Sequence, residues 1–173
     1  MPEGHSLHRL ARQFDDVFGG QTVNVSSPQG RFAVDAQRID GCRLEYAFAK
    51  GKQLFCLFSN DLYLRVHLGL YGAFSFGGDS YFTGASSIGA PRKIGERETS
   101  APQEAGEYAG PPAPVGAVRA RIVSEHGWAD LRGPTACEVL DHEQVQIQLA
   151  KLGPDPLVGA AVRFRAAKGQ ADP

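Results

Sequence analysis

Pro2 and Glu3 carry the most specific chemistry this sequence offers. The small side chain at position 2 makes Met1 a substrate for the processing aminopeptidase, and its removal exposes a secondary amine. While Met1 is attached, the same nitrogen is an amide with no usable lone pair. A free secondary amine can attack a sugar or carbonyl carbon and form an iminium, covalent catalysis of the Schiff-base kind. An α-amino group titrates near ~7.7–8, so part of it is neutral at working pH. Glu3 stands beside it as a possible acid and base. Lys52 offers a second amine at the mouth of an apolar run, and His67 opens the glycine-framed segment His67-Leu68-Gly69-Leu70-Tyr71-Gly72.

Those groups need elements to hold them. Apolar residues at 7, 10, 11 and 14 form the i, i+3, i+4, i+7 set of an amphipathic helix. Val17 and Phe18 extend the stripe, and Gly19-Gly20 stops it. Pro2 suits the first turn, where its fixed φ fits and its missing N–H costs nothing. The positive end of the helix dipole there favours a neutral amine and an ionised Glu3. A plain helix with a good start signal accounts for these residues equally well. Residues 53–58 and 62–67 read as two apolar strands around Ser59-Asn60-Asp61, with further strands near 22–27, 42–48 and 72–76. Residues 115–123 and 128–131 read as a hairpin, the segment 130–135 leads into a helical turn, and a second helix covers roughly 143–152. One long helix, six to eight short strands and a closing helix describe an α+β domain, a β-sandwich of short antiparallel strands flanked by helices.

Taken in order, MPEG at the start, Gly51-Lys52 before an apolar strand, Phe58-Ser59-Asn60-Asp61-Leu62, His67 to Gly72, and Leu152-Gly153-Pro154-Asp155-Pro156-Leu157 resemble the formamidopyrimidine-DNA glycosylase/endonuclease VIII family. The Ser-Asn-Asp-Leu and Leu-Tyr-Gly wording leans to the endonuclease VIII branch and its actinobacterial relatives. The resemblance implies base-excision repair of oxidised bases in damaged double-stranded DNA, with the nucleotide flipped out of the duplex. It implies Pro2 as nucleophile on the sugar C1′, Glu3 as acid/base, and Lys52 as the catalytic lysine near the sugar and its phosphate. Leu70 and Tyr71 correspond to the wedge that fills the opened stack, and His67 to a histidine near DNA phosphate. Read without the family, Lys52 is a solvated strand-end lysine, Leu70 and Tyr71 pack a hairpin, and His67 hydrogen-bonds backbone. Two positions depart from the family pattern: Ser6 stands where a second glutamate is common, and Gly69 gives the wedge no side chain before Leu70.

The resemblance runs from residue 2 to about 157, the expected catalytic domain, with 158–173 expected as a disordered tail. The family's helix–two-turn–helix domain and zinc finger have no counterpart motif here, so no cofactor or metal is expected. A remnant that keeps the fold but grips DNA weakly is the alternative. His5 and His8 share a helix face without a third metal ligand nearby. Residues 77–114, rich in Gly and Pro, read as a long mobile insertion.

Eighteen basic and nineteen acidic side chains give a net charge of −1, unlike a stand-alone duplex binder. Weak, salt-sensitive DNA binding is therefore expected, with Arg132 as a DNA-binding residue and Arg65, Arg119, Arg121 and Arg132 as a local basic face or as ordinary solvated strand residues. Cys42, Cys56 and Cys137 are odd in number and widely spaced, which fits reduced thiols. With no signal peptide and no spanning apolar run, a cytoplasmic, nucleoid-associated bacterial monomer is expected.

Overall fold

The computed structural model describes residues 3–78, 85–89 and 110–152, with side chains from Leu7 onward. In chain order the elements are α1 (Glu3–Phe18), β1 (Asn24–Ser26), α2 (Ala33–Ile39), β2 (Leu44–Lys50), β3 (Gln53–Phe58), β4 (Tyr63–His67) and β5 (Ala73–Gly78). They continue as β6 (Ser87–Gly89), β7 (Val118–Val123), β8 (Gly127–Arg132), β9 (Ala136–Leu140) and α3 (His142–Leu152). One sheet runs β1-β7-β8-β5-β6 and the other β2-β3-β4-β9. Every pairing is antiparallel. The expected α+β sandwich is what forms.

Alternation builds the space between the sheets. In β7, Val118, Ala120 and Ile122 are buried while the residues between them are half-exposed. Ala120 and Ile122 join Leu54, Cys56, Phe58, Leu64 and Val66 of the other sheet in one core. β3 is buried along its whole length because both its faces are covered. Its outward Phe55 and Leu57 join Tyr63 and Leu140 in a second cluster beneath Val145 and Leu149 of α3. Asp141 starts α3 with a capping box: its Oδ1 accepts the Gln144 N–H at 2.8 Å, and Gln144 Oε1 accepts the Asp141 N–H at 2.9 Å.

The stripe expected on α1 is the face it buries: Leu7, Leu10, Ala11, Phe14 and Phe18, with Val17 partly buried. The helix stops where the glycines begin. A Cβ on Gly19 would lie 2.5 Å from the Asp15 carbonyl oxygen, which closes the last turn. Gly20 takes φ +77° and donates its N–H to Leu44 O at 2.7 Å. Three residues into β2, the Asp15 carboxylate accepts the Ala47 N–H at 2.6 Å. These two ties lay α1 along β2, so the start of the helix, about 18 Å from Asp15 at 1.5 Å per residue, points towards the Lys50 end.

Two expectations are corrected. The segment after Arg132 forms strand β9 instead of a helical turn. Ala, Glu and Leu there favour a helix, but pairing with β4 and inward burial of Val139 override that preference. Residues 77–114 are not one mobile insertion: Gly77 and Gly78 complete β5, and β6 pairs with it from Ala73 to Ser75. Positions 79–84 and 90–109, and the expected tail 158–173, lie outside the described residues. Helix α2 was not anticipated, since seven residues carry too little periodicity to read. Nine described strands also exceed the six to eight expected.

Cys42, Cys56 and Cys137 are free thiols. Burial pushes Cys56 well above its ordinary range and Cys137 up to about 12, which makes both poor nucleophiles. Among the described residues, no helix is long and apolar enough to cross a membrane.

Burial and the neighbouring Asp16 raise the Asp15 carboxyl above 3.8, and the Ala47 N–H only partly offsets them. An acid whose folded pKa is raised favours the folded state while protonated, and that contribution is lost as pH rises through the folded value. Asp15→Asn keeps an acceptor without the charge. Urea denaturation is expected to give it a higher midpoint than wild type at pH 7, with the difference closing as pH falls below 3.8.

Candidate functional site

Lys52, His67, Leu70 and Tyr71 gather at one end of the sandwich. Gln53 begins β3 opposite His67, the last residue of β4, and His67 lies opposite Ala136 at the start of β9. In the other sheet Arg132 ends β8 opposite Ala73, the first residue of β5. The β2–β3 turn, the β4–β5 loop and the β8–β9 loop therefore share this end, towards which α1 also starts. Pro2 lies outside the described residues, and Glu3 is placed only as the first backbone residue of α1.

Lys52 occupies a two-residue hairpin turn, Gly51-Lys52, with φ of +58° and +64°. Left-handed backbone at both positions is the signature of a type I′ turn, whose twist matches the flanking strands. For glycine this is free, whereas a side-chain-bearing residue loses roughly 1–2 kcal/mol there. Lys52 is exposed and makes no hydrogen bond or ion pair among the described residues. The other side of the turn is closed by α3, because a Cβ on Gly51 would fall 2.7 Å from Leu152 Cδ2.

His67 is half-buried, and its carbonyl accepts the Thr135 N–H at 2.8 Å. Burial lowers the imidazole below its ordinary 6.5, and the positive charges of Arg65 and Lys52 lower it further. At neutral pH it is an uncharged ring able to donate one hydrogen bond and accept another.

Beyond Leu68, which is buried, the loop turns sharply and presents Leu70 at 65% and Tyr71 at 79% exposure. This tip is built on glycines that no other residue replaces easily. Gly69 has φ +67°, and a Cβ there would sit 2.0 Å from Thr135 Oγ1. At Gly72 a Cβ would lie 2.3 Å from Leu68 O, the same oxygen that accepts the Gly72 N–H. Across the gap, a Cβ on Gly133 would meet Tyr71 O at 2.7 Å. Two large apolar side chains thus project into solvent from backbone that two loops hold from below. Sequence reasoning missed the supporting loop, residues 133–135, although the Gly133-Pro134 pair was the available signal.

The four arginines do not make one basic face. Arg65 lies on the outer face of the β2–β9 sheet, and Arg119, Arg121 and Arg132 lie on the outer face of the other. Arg121 grips the buried Asp130 with two bonds of 2.7 Å, and Arg119 Nε donates to Gln29 Oε1 at 2.9 Å. Arg132 donates to Val115 O at 2.6 Å and Ser75 Oγ at 3.0 Å, with Asp130 at 3.9 Å. Arg65 is bound to Gln53 and Glu138. The Ser59-Asn60-Asp61 motif sits at the far end and works structurally: Asn60 Nδ2 donates to Arg38 O, the last turn of α2, at 2.8 Å. His8 is exposed, and no group of three His, Cys, Asp or Glu side chains is placed to hold a metal among the described residues.

Residues 1–133 match the family described as the formamidopyrimidine-DNA glycosylase N-terminal domain. Proteins named Endonuclease 8 1 from Mycobacterium tuberculosis and Mycobacterium bovis are 42% identical over 162 residues, which is 91% of this chain and 49% of theirs. The chain thus spans about half the length of these relatives. Among solved structures, the Lactococcus lactis Fpg in complex with DNA containing an abasic site superposes with a TM-score of 0.54 at 14% identity, over 87% of this chain and 47% of that one. A mutant of the same protein with DNA containing THF gives 0.54 at 15% identity, over 87% and 46%. At these identities the structural likeness speaks for the fold.

Backbone geometry sets two expectations for stability. Lys52→Gly is expected to raise unfolding free energy by about 0.5–1 kcal/mol in urea titrations, since it relieves the left-handed turn. Gly69→Ala is expected to lower it by at least about 1 kcal/mol, and by more if Thr135 cannot swing away.

Proposed function

Because the chain belongs to the formamidopyrimidine-DNA glycosylase family through its N-terminal domain, we propose that it supplies the catalytic half of a base-excision-repair DNA glycosylase with AP lyase activity. The substrate is damaged double-stranded DNA bearing an oxidised base. The observation that carries this reading is the convergence of an exposed Lys52 with no partner among the described residues, a neutral His67 and a glycine-built Leu70–Tyr71 tip at the end towards which α1 starts.

In the proposed reaction, the lone pair of the Pro2 nitrogen forms a bond to C1′ of the flipped deoxyribose. The bond from C1′ to the base breaks, and the base leaves with that electron pair and takes up a proton. Glu3 protonates the ring oxygen as the sugar opens, and the amine gives up its own proton, leaving an iminium at C1′. The iminium acidifies the C2′ hydrogens, so loss of one expels the 3′ phosphate and cuts the strand. Water adds to C1′ of the remaining iminium, and loss of the amine frees Pro2.

Lys52 carries its ammonium group to the sugar and its phosphate, where a compact charge with rotatable donors suits a moving target. His67, uncharged at neutral pH, donates a hydrogen bond to a neighbouring phosphate. Leu70 and Tyr71 enter the stack left by the flipped nucleotide, replacing lost base contacts with apolar and aromatic surface. Arg132, whose guanidinium is held by Val115 O, Ser75 Oγ and Asp130, braces the segment and is assigned no DNA contact.

Borohydride trapping on duplex DNA with an abasic site tests the reading, using protein whose Met1 is shown absent by mass spectrometry. A covalent adduct is expected, and it should vanish when Pro2 is replaced by glycine and the new terminus is acetylated. Affinity is expected to be weak and to fall steeply with salt. If high protein and low salt yield no adduct, this chain does not perform the amine chemistry.

A further inference from the structure

The outer face of the β2-β3-β4-β9 sheet changes character along its length. Its row farthest from the Lys52 turn is Tyr46, Leu57, Tyr63 and Leu140, all apolar or aromatic and mostly packed beneath α3. The next row is Phe48, Phe55, Arg65 and Glu138, and the row at the turn is Lys50, Gln53, His67 and Ala136. A sheet face that needed only packing would have stayed apolar throughout.

In its place a single guanidinium ties three strands together. Arg65 Nε donates to Gln53 Oε1 at 2.5 Å, and Nη1 makes a short bond to Glu138 Oε2. Gln53 is 6% exposed and the Arg65 side chain 14%, so neither is free to reach a ligand while this arrangement holds. Charge-assisted bonds of this kind are short and directional. A hydrogen-bonded network in a half-buried setting, here with Glu138 at 38% exposure, also favours one geometry over its neighbours.

Gln53 is the residue that follows Lys52. The Gly51-Lys52 turn leaves β2, crosses at left-handed φ and re-enters the sheet at Gln53. Leu152 blocks it from the Gly51 side. Its other anchor is the Gln53 side chain, fixed by Arg65.

We propose that Arg65 is a positioning residue for Lys52 and acts through Gln53. The assignment rests on the role given to Lys52 above. Arg65 takes no part in proton transfer or DNA contact; it fixes where the Lys52 ammonium can go. Misplacing a reacting group by about 1 Å costs on the order of a hundredfold in rate, so a loosened turn shows in the chemical step before it shows in binding.

The experiment compares wild type with Arg65→Met, Gln53→Met, the double variant and Gln53→Glu, by two readouts. The first needs no activity: backbone 15N relaxation of Gly51 and Lys52, where order parameters are expected to fall from near ~0.85 towards ~0.6 in Arg65→Met and Gln53→Met. The second is the borohydride-trapping rate at saturating abasic-site DNA, expected to drop at least tenfold in both while DNA affinity stays within twofold. The double variant should be no slower than the slower single, and Gln53→Glu, which keeps an acceptor for Arg65, should retain the wild-type turn and rate. Should Arg65→Met fail to fold, Gln53→Met carries the same test with the Arg65–Glu138 pair intact. Unchanged order parameters at Gly51 and Lys52, or losses that multiply in the double variant, overturn the proposal. Loosened turns in a chain that never traps DNA uphold the strut and overturn the glycosylase reading.

Discussion

The fixed point of this molecule is the Phe14 ring. It is fully buried, and its centroid lies 5.3 Å from Phe18, 5.0 Å from Phe74 and 5.7 Å from Phe76. The contacts with Phe74 and Phe76 are edge-on, the arrangement that aromatic quadrupoles favour. Through them α1 is locked to β5, while Asp15 and Gly20 tie it to β2 in the other sheet. A helix held to both sheets can neither roll nor slide, so the direction of its start is set by the core.

The same end depends on backbone that most residues cannot adopt. Gly51, Lys52, Gly69 and Gly133 all have positive φ, and the glycines at 51, 69 and 133 also sit where a Cβ would collide. Close approach between loops is thus what shapes the Leu70–Tyr71 tip, while Leu152 of α3 and the Gln53 side chain bound the Lys52 turn. Lys52 is the exception among these four, a side chain placed where glycine would be more comfortable. Strain retained in an otherwise permissive turn is characteristic of positions held for function, and here the neighbouring Gly51 and the anchored Gln53 absorb it.

How much of this could be read beforehand follows from which forces leave a local trace. The α1 stripe and the two strands at 53–58 and 63–67 were legible because periodic burial writes itself into periodic sequence. Lys52, His67, Leu70 and Tyr71 were legible as a set through motif order, and the structure brings them to one end. β9 was not, because its five residues become a strand only by pairing with β4. Nor was the separation of the arginines: Arg65 and Arg121 each look outward by alternation, and only the sheet order shows that they face opposite sides. The loop at 133–135 carried a turn signal in Gly133-Pro134, but its supporting role did not, since its contacts with 69 and 71 span more than sixty residues of chain.

A balance of −1 suggests little attraction to a polyanion, and several arginines are engaged inside the chain: Arg65 with Glu138, Arg121 with Asp130, Arg43 with Glu45, Arg38 with Asp35. Each such pair stiffens a strand or helix and cancels its own field within a few ångströms. Lys52 is left out of these pairings, and it stands on the turn that the Arg65 strut holds. An internal ion pair and an exposed cation have the same weight in a charge count, yet only the second can reach a phosphate. The composition therefore describes how this domain is braced, and only the placement of each charge shows which cations remain exposed.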